Sequence, residues 1–247
     1  MRYERTESTF VKHGPCGSCG SSDGVAIYSD NHKVCFVCNA YTHGDGSVVN
    51  TNKTIRARPL EMTGTIAAIQ DRRISMDTAK RYGVTVENGE DGSISKHHYP
   101  YHNQEGNKVV GTKVRNVATK DFYATGDLGS AGLFGQQSFA AGGKYITITE
   151  GELDAMAAYE MNGGFPAVSI RSGANSAVKD IKASLEYLET FDNVVICFDS
   201  DEAGIKAAAD VLPLFSPRKA KVCTLPLKDA GDMLKANRVR EYTKCWW

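Results

Sequence analysis

Four acidic residues stand where apolar, strand-like stretches of the sequence end: Glu150, Asp199, Asp201 and Asp229. The carboxyl ends of parallel strands meet at one edge of a sheet, and residues i and i+2 of an extended chain point to the same side. These carboxylates could therefore lie together. Carboxylate oxygens beside substrate phosphates are typical ligands of Mg²⁺, with Mn²⁺ as an alternative ion. The pattern predicts Mg²⁺-dependent phosphoryl transfer, with Glu150, Asp199 and Asp201 as catalytic residues and metal ligands and Asp229 as a further ligand.

Two alternatives concern individual acids of this set. Asp199 and Asp201 could instead cap the helix that follows them, because a side-chain oxygen at that position accepts hydrogen bonds from unpaired main-chain N–H groups. Glu150 could be a metal ligand or a general base. The coincidence of Glu150 with the Asp-x-Asp pair at separate strand ends favours the metal site, which could hold one ion or two.

Four cysteines form two Cys-x-x-Cys pairs separated by fifteen residues: Cys16, Cys19, Cys35 and Cys38. Two such pairs can offer four thiolates to one Zn²⁺. Four protein ligands leave no open position, so the zinc is predicted to be structural and to supply folding energy. Two paired strands, turned at Asp30-Asn31, are expected between the pairs. The three remaining cysteines are scattered, which is typical of a reducing compartment rather than of a disulfide framework.

The elements that would position the acids alternate between strand and helix. The pattern predicts strands and helices in turn, namely strands at 145–149, 165–170, 193–198 and 221–225 and helices at 152–161, 177–188 and 202–211. Apolar strands that alternate with helices predict a parallel sheet covered on both faces.

The preceding residues carry a different pattern. Short helices are predicted to start at 66–69 and to span 76–82, the second capped by Ser75 and ended by Gly83. Alternating polar and apolar residues on both sides of a polar turn predict a hairpin of 96–102 with 108–115. The chain is therefore expected to combine a mixed α+β unit with an α/β unit.

Composition sets broad limits on the class of protein. The chain has 247 residues, 41% of them hydrophobic and 23% charged, which is typical of a folded chain with a core and not of a disordered one. Lys and Arg number 29, as do Asp and Glu, so binding to nucleic acid would depend on where the basic residues lie. The sequence has neither an apolar stretch of membrane-spanning length nor a secretory signal pattern.

Two segments resemble the signature of the TOPRIM fold, which serves primases, topoisomerases and some nucleases: Thr149-Glu150-Gly151-Glu152-Leu153-Asp154-Ala155 and Phe198-Asp199-Ser200-Asp201-Glu202-Ala203-Gly204. With the four-cysteine motif ahead of it, the chain resembles TOPRIM-type DNA primases, and in particular the primase portion of T7-like phage primase–helicases. The resemblance extends over almost the whole chain, and Gly132-Leu133-Phe134-Gly135 is similar to the segment that precedes TOPRIM in primases.

This resemblance implies a function and a domain order. The implied function is synthesis of short RNA primers from NTPs on single-stranded DNA, by Mg²⁺-dependent phosphoryl transfer. The implied domains are a zinc-ribbon template-recognition domain at 1–45, a flexible linker at 46–57, a basic subdomain of the catalytic domain at 58–142, and a TOPRIM subdomain with a C-terminal tail at 143–247.

The resemblance also implies roles for residues outside the acidic set. Lys113, Arg115 and Lys120 would contact phosphates of the nucleotide or template, and the alternative for each is a solvated strand face. Asp30, His32 and Phe36 would help the ribbon to recognise the start site. The alternative for Asp30 is a turn residue, and for Phe36 packing within the hairpin.

The implied partners are the single-stranded template, NTPs, a replicative helicase and a DNA polymerase, in the cytoplasm of a bacterial host. The sequence contains no G-x-x-x-x-G-K-[ST] motif of a helicase P-loop. It ends in Trp246-Trp247, which would be unusual in a free tail. We therefore expect this chain to be part of a longer primase–helicase. The alternative is a separate primase whose tryptophans pack on its body or on a partner.

Three other classes also use a TOPRIM fold. A recombination mediator of the RecR type combines it with four zinc cysteines, but the basic middle segment would have no role there. A TOPRIM nuclease would use the same acids, but it would not need a template-reading ribbon. A topoisomerase is disfavoured because the chain is too short for its gate domains.

Overall fold

The computed structural model describes residues 8–17, 22–35, 40–46, 48–49, 59–60 and 62–247. These residues belong to two compact units, Met1–Ala57 and Arg58–Trp247. No helix in the described part of the chain has both the length and the apolar character that crossing a membrane requires.

The first unit is a small antiparallel sheet whose strands follow chain order: β1 (Phe10–Gly14), β2 (Val25–Tyr28), β3 (Lys33–Cys35), β4 (Tyr41–Thr42) and β5 (Val48–Val49). The predicted hairpin is confirmed as β2 and β3, and Asn31 adopts the left-handed conformation that asparagine tolerates in tight turns. Strand β5 lies within 46–57, so the sheet continues into the segment assigned to a linker. Cys19, Cys38 and Phe36 lie outside the described residues.

The second unit begins with a mixed α+β part. Its antiparallel sheet has the order β6 (Thr85–Asn88), β7 (Ile94–His102), β8 (Val109–Asn116) and β9 (Phe122–Gly126). The predicted hairpin is confirmed as β7 and β8, whereas the outer strands β6 and β9 were not predicted. Both are short, and β9 carries little periodic apolar character.

Helix α1 (Met76–Tyr82) precedes this sheet and has the predicted ends. The Ser75 hydroxyl accepts a hydrogen bond from the Thr78 N–H, and the chain leaves the helix at Gly83. The prediction that a helix starts at 66–69 is wrong. That stretch is extended, because Ile69 pairs with Ile74 around a 3-10 turn (Gln70–Arg72) and Thr65, just before it, pairs with Val86.

The second part of this unit is a four-stranded parallel sheet in the order β11 (Ala167–Ser169), β10 (Gly143–Thr149), β12 (Phe191–Ile196) and β13 (Ala220–Val222). Six helices belong to it: α2 (Glu152–Met161), α3 (Ala177–Ala183), α4 (Leu185–Glu189), α5 (Glu202–Val211), α6 (Ala230–Lys235) and α7 (Val239–Trp246). The helix predicted at 177–188 is two helices, with Ser184 between them. Helices α6 and α7 were not predicted.

Both faces of the parallel sheet are covered, as predicted. Along β12, Val194 and Ile196 pack into a core with α3, α4 and α5, whereas Val195 packs into a core with α2, α6 and α7. The second core continues to Tyr99 and Tyr101 of the antiparallel sheet. One apolar core therefore holds the two sheets in fixed positions.

A buried ion pair reinforces this arrangement beside β11. The Arg171 guanidinium donates to the Asp180 carboxylate, with a shortest N–O distance of 2.6 Å, and both side chains are less than one-tenth exposed. Its Nη1 donates to the carbonyl oxygens of Leu128, Gly129 and Ala131. Arg171 therefore fixes the position of residues 128–131, which lie in the segment between β9 and β10.

The chain end packs against the parallel sheet. Trp246 is buried, and its ring stacks on Phe165 and packs at a tilt against Tyr145. Its indole N–H donates to the Thr147 hydroxyl over 2.8 Å. Trp247 is 60% exposed. Trp246 is thus part of the core, where its N–H has a hydrogen-bond partner and its ring is packed against other side chains.

Candidate metal centre and nucleotide-binding face

Three carboxylates converge at the carboxyl end of the parallel sheet: Asp154, Asp199 and Asp229. One oxygen of each lies within 4.8 Å of an oxygen of the other two. Asp154 is in the first turn of α2, Asp199 follows β12, and Asp229 precedes α6. In the described residues this is the one group of three or more His, Cys, Asp or Glu side chains whose ligand atoms approach so closely.

Main-chain and side-chain contacts hold these acids in place. Asp154 Oδ1 accepts a hydrogen bond from the Gly231 N–H over 2.9 Å, and Asp229 Oδ1 accepts one from the Asp232 N–H over 2.6 Å. Lys228 Nζ lies 3.0 Å from Asp199 Oδ2. The cluster is therefore fixed by the helix starts and loops around it.

The electrostatics of the cluster favour a cation. Burial raises the pKa of Asp154 well above its usual range, and the nearby charge of Asp229 raises it further. Burial also raises the pKa of Asp199, although Lys228 opposes this rise. A raised pKa means that the charged form is destabilised, and a bound divalent cation would remove that penalty.

Glu150 adjoins the cluster, and Asp201 lies at its border. Glu150 Oε1 accepts a hydrogen bond from the Asp199 N–H over 3.1 Å, and burial together with the charge of Asp199 raises the pKa of Glu150. Asp201 is exposed, and its Oδ1 accepts a hydrogen bond from the Gly204 N–H, which makes it the N-cap of α5. Of the four predicted acids, the structure thus brings Glu150, Asp199 and Asp229 together and gives Asp201 a capping contact.

Gly204 explains how α5 can start so close to these acids. A Cβ atom at this position would lie 2.2 Å from the Asp199 carbonyl oxygen and 2.6 Å from Glu150 Oε1. Any side chain would therefore push α5 away from the site. The glycine of the Asp-Glu-Ala-Gly segment is required by this close approach.

Asp154 is the member of the cluster that sequence reasoning did not assign. It stands four residues after Glu150, inside the helix that follows the strand. Side chains in the first turn of a helix lean toward its N-terminus, which here is the carboxyl edge of the sheet. That spacing was visible in the sequence and could have indicated a fourth acid at this edge.

Of the three predicted phosphate-binding residues, Lys113 lies beside the start of α2. On β8, its Nζ donates to Glu152 Oε1 over 2.6 Å and to the Arg171 carbonyl oxygen over 2.8 Å. Glu152 is buried and also accepts a hydrogen bond from the Tyr101 hydroxyl. Lys113 is therefore held in one place, with 18% of its side chain exposed.

Arg115 and Lys120 lie near Lys113 on the antiparallel sheet and, together with it, form a basic face. Arg115 is half-buried, lies on the same face of β8 as Lys113, and pairs with Phe122 of β9. Lys120 is exposed in the turn between β8 and β9. The three cations thus lie on neighbouring parts of one sheet, and Lys113 is the one in contact with α2.

In the first unit, Asp30 and His32 lie together at the β2–β3 turn. Asp30 Oδ1 is 2.6 Å from His32 Nδ1, and the His32 ring stacks on Tyr28 with 4.1 Å between ring centroids. Cys16 and Cys35 are both buried in one small apolar cluster with Val25. Two of the four predicted zinc ligands therefore lie in the same small cluster.

Comparisons with known proteins all point to the same family. Residues 147–234 match the Toprim-like family. The DNA helicase/primase of enterobacteria phage T3 is 33% identical over 242 residues, which cover 92% of this chain and 41% of that protein. This chain thus spans less than half the length of that relative.

Two solved structures have a similar fold. The crystal structure of the primase fragment of the bacteriophage T7 primase-helicase protein superposes with a TM-score of 0.71 at 33% identity, and the match covers 97% of this chain and all of that fragment. Primase domains in a structure with the bacteriophage T7 lagging-strand DNA polymerase, an RNA/DNA hybrid and dTTP match at a TM-score of 0.66 and 33% identity, over 74% of this chain and 92% of that one. The chain therefore belongs to the TOPRIM-type DNA primases, the family that includes the primase portion of T7-like phage primase–helicases.

Proposed function

We propose that this chain synthesises short RNA primers from NTPs on single-stranded DNA by Mg²⁺-dependent phosphoryl transfer. The observation that carries the proposal is the cluster of Asp154, Asp199 and Asp229 at the carboxyl edge of the TOPRIM sheet, with the fixed cation Lys113 beside the same helix start. Acids that hold Mg²⁺ next to cations that hold phosphate are the parts that phosphoryl transfer requires.

The donor set fits Mg²⁺. Asp154, Asp199 and Asp229 would hold the ion, with Glu150 and Asp201 at the border of the same site. The raised pKa values of Asp154 and Asp199 support this, because closely placed carboxylates need a counter-charge at neutral pH. When bound, Mg²⁺ would neutralise triphosphate charge and favour ionisation of the attacking hydroxyl.

The chain's own residues would orient the phosphates. Lys113 uses two of its three N–H groups for Glu152 and the Arg171 carbonyl oxygen, which leaves one for a phosphate oxygen. Arg115 and Lys120 would extend the contact along the sheet toward the template or nucleotide. Such contacts make binding to DNA weaken as salt rises.

The first unit would be a zinc ribbon that aids start-site recognition. Cys16, Cys19, Cys35 and Cys38 would hold one structural Zn²⁺. The burial of Cys16 and Cys35 in a very small core supports this, because a unit of this size gains folding energy from a metal. Asp30, His32 and Phe36 would read the template, and the fixed Asp30–His32 contact would present a hydrogen-bonding edge to a base.

The domain order follows from the same proposal. Residues 1–45 would form the ribbon. The linker would be 46–57, with β5 at its start still paired to the ribbon's sheet. Residues 58–142 would form the basic subdomain, and 143–247 the TOPRIM subdomain with its tail. The partners would be a replicative helicase, in the same polypeptide or separate, and a DNA polymerase, all in the bacterial host cytoplasm. The relatives described as a helicase/primase and as primase domains with a polymerase support these partners.

A primer-synthesis assay tests the proposal. The chain would be incubated with a pool of single-stranded DNA templates, labelled NTPs and Mg²⁺, and the products sequenced. Short oligoribonucleotides that vanish without Mg²⁺ and with Asp199→Ala would support it, and their common 5′ sequence would identify the start site. If the chain alone is inactive, a helicase of the same family is added in trans.

Two other results would contradict the proposal. Metal-dependent cleavage of labelled DNA without added NTPs would indicate a TOPRIM nuclease. DNA binding by stable ring-shaped oligomers, with no incorporation of nucleotides even in the presence of the helicase, would indicate a recombination mediator.

A further inference from the structure

Phe122, the first residue of β9, presents an aromatic ring to solvent between two cations. The residue is 51% exposed. Its ring centroid lies 5.4 Å from Lys113 Nζ and 5.6 Å from Arg115 Cζ. Both distances are within the range of cation–π contacts. A phenylalanine this exposed contributes little to the core, so its position beside two cations calls for another explanation.

Hydrogen bonds fix the turn that precedes Phe122. The Asn116 N–H donates to the Asp121 carbonyl oxygen over 2.9 Å, which closes the turn between β8 and β9. Asn116 Oδ1 accepts a second hydrogen bond from the Ala118 N–H. Because Phe122 follows this turn and pairs with Arg115 across the sheet, the backbone that carries its ring is fixed beside the two cations.

Lys113 also links the ring to the helix that carries Asp154. Lys113 lies over the Phe122 ring and bonds Glu152, which is the first residue of α2. Asp154 follows in the first turn of the same helix. Lys113 therefore joins the exposed ring to the start of the helix that supplies one carboxylate of the cluster.

We propose that Phe122 is a stacking platform for a nucleobase whose phosphates are held by Lys113 and Arg115. This inference rests on the proposed primase function and deepens it. An aromatic face flanked by cations binds a nucleotide unit through its base plane and its phosphate at once, and it accepts any base because every base has a π face. Phe122 is thus a positioning residue without base preference.

The stacked base has two possible sources, which share this chemistry. It belongs either to the single-stranded DNA chain or to a free nucleoside triphosphate. Base–aromatic stacking in single-strand binding corresponds to about 5- to 150-fold in affinity for each base. A loss of that size on removing the ring is measurable for either source.

The test uses 2-aminopurine, whose fluorescence is quenched by stacking, placed in a single-stranded oligodeoxynucleotide in one arm and supplied as its riboside triphosphate in the other. The full chain is compared with Phe122→Leu, which keeps apolar cover over the cations, and with Phe122→Trp, which keeps a ring. We expect Phe122→Leu to weaken binding about 5- to 150-fold and to abolish quenching in at least one arm. We expect Phe122→Trp to restore both. The arm that responds identifies the source of the base.

Thermal melting of both variants serves as the folding control, because an exposed position should leave the melting temperature unchanged. Wild-type affinity and quenching by Phe122→Leu in both arms would overturn the platform. Primer synthesis by the wild-type chain, measured in parallel, separates the two claims. If primers are made while Phe122→Leu binds like the wild type, only the platform fails. If the wild type makes no primers and binds neither probe, both claims fail.

Discussion

Glu150 Oε1 accepts a hydrogen bond from the main-chain N–H of Asp199 over 3.1 Å. The contact joins the residue that follows β10 to the loop that follows β12. It uses a carboxylate to fix a main-chain group, and so it sets the position of the neighbouring Asp199 carboxylate. If the cluster binds Mg²⁺ as proposed, Glu150 would act on the ion partly through Asp199.

We first predict the effect of removing only the charge of Glu150. Glu150→Gln keeps an oxygen that can accept the Asp199 N–H but removes the negative charge. We expect an unchanged fold and an affinity for Mg²⁺ or Mn²⁺ that falls about 10-fold or more, as for other groups that support metal ligands. Isothermal titration of Mn²⁺ measures this, with the exposed Glu186→Gln as the matched control. An affinity equal to that of the control would show that the charge of Glu150 does not contribute to ion binding.

A second prediction concerns stability and pH. The folded-state pKa of Asp154 is raised by burial and by Asp229, whereas an unfolded aspartate titrates at about 4. As pH rises from about 4 through the raised folded pKa, the unfolded chain releases this proton first, so the free energy of unfolding falls. Asp154→Asn removes this loss. Without divalent cation at neutral pH, we expect the variant to melt at a higher temperature than the wild type.

Mg²⁺ should stabilise the wild type but not Asp154→Asn. An ion at 100 times its dissociation constant stabilises the folded chain by about 2.7 kcal/mol, which corresponds to several degrees for a chain of this size. We expect the wild-type melting temperature to rise with Mg²⁺ and that of Asp154→Asn to change little. Differential scanning calorimetry measures both melting temperatures. An equal rise in both proteins would show that the ion binds elsewhere.

The buried Arg171–Asp180 pair gives a third prediction. Asp180→Ala leaves a guanidinium inside the protein without its counter-charge, which costs about 3–5 kcal/mol in the free energy of unfolding. Asp210→Ala breaks the exposed Lys206–Asp210 pair on α5 and should change stability by less than about 1 kcal/mol. Urea denaturation of both variants measures the difference. Equal losses would mean that burial of the pair has no energetic importance.

A fourth prediction compares the two neighbouring tryptophans. Trp246 is buried and bonds Thr147, so Trp246→Ala should lower the free energy of unfolding by about 3–5 kcal/mol. Trp247 is mostly exposed, and Trp247→Ala should cost less than about 1 kcal/mol. Chemical denaturation would again be the measurement, and similar costs at both positions would argue against the observed packing of α7.

Much of the parallel half of the fold could be predicted from the sequence, because its strands are short continuous apolar runs between helices with clear ends. Helices 152–161 and 202–211 have the predicted bounds. The helices after β13 were missed because α6 is short and α7 has mostly polar residues around a few buried ones, such as Tyr242 and Trp246. Their burial depends on tertiary contacts that local periodicity does not reveal.

The candidate site shows the same division. The sequence placed Glu150, Asp199 and Asp229 at one sheet edge because strand ends share that edge. It did not single out Asp154, whose position depends on the direction of a helical side chain. It offered helix capping as the alternative for Asp201, and the structure shows Asp201 as the N-cap of α5. The family resemblance implied a phosphate contact for Lys113 but did not reveal Glu152 as its partner, because that contact joins residues 39 positions apart.

The most direct test is the rate of Mg²⁺-dependent primer synthesis by Asp154→Asn, compared with the wild type and with Asp192→Asn, which changes an exposed aspartate of β12. If the cluster of Asp154, Asp199 and Asp229 holds the catalytic ion, Asp154→Asn should lose at least about 100-fold in rate while remaining folded, and Asp192→Asn should match the wild type. Primer synthesis by Asp154→Asn at the wild-type rate and with the same Mg²⁺ dependence would contradict the account.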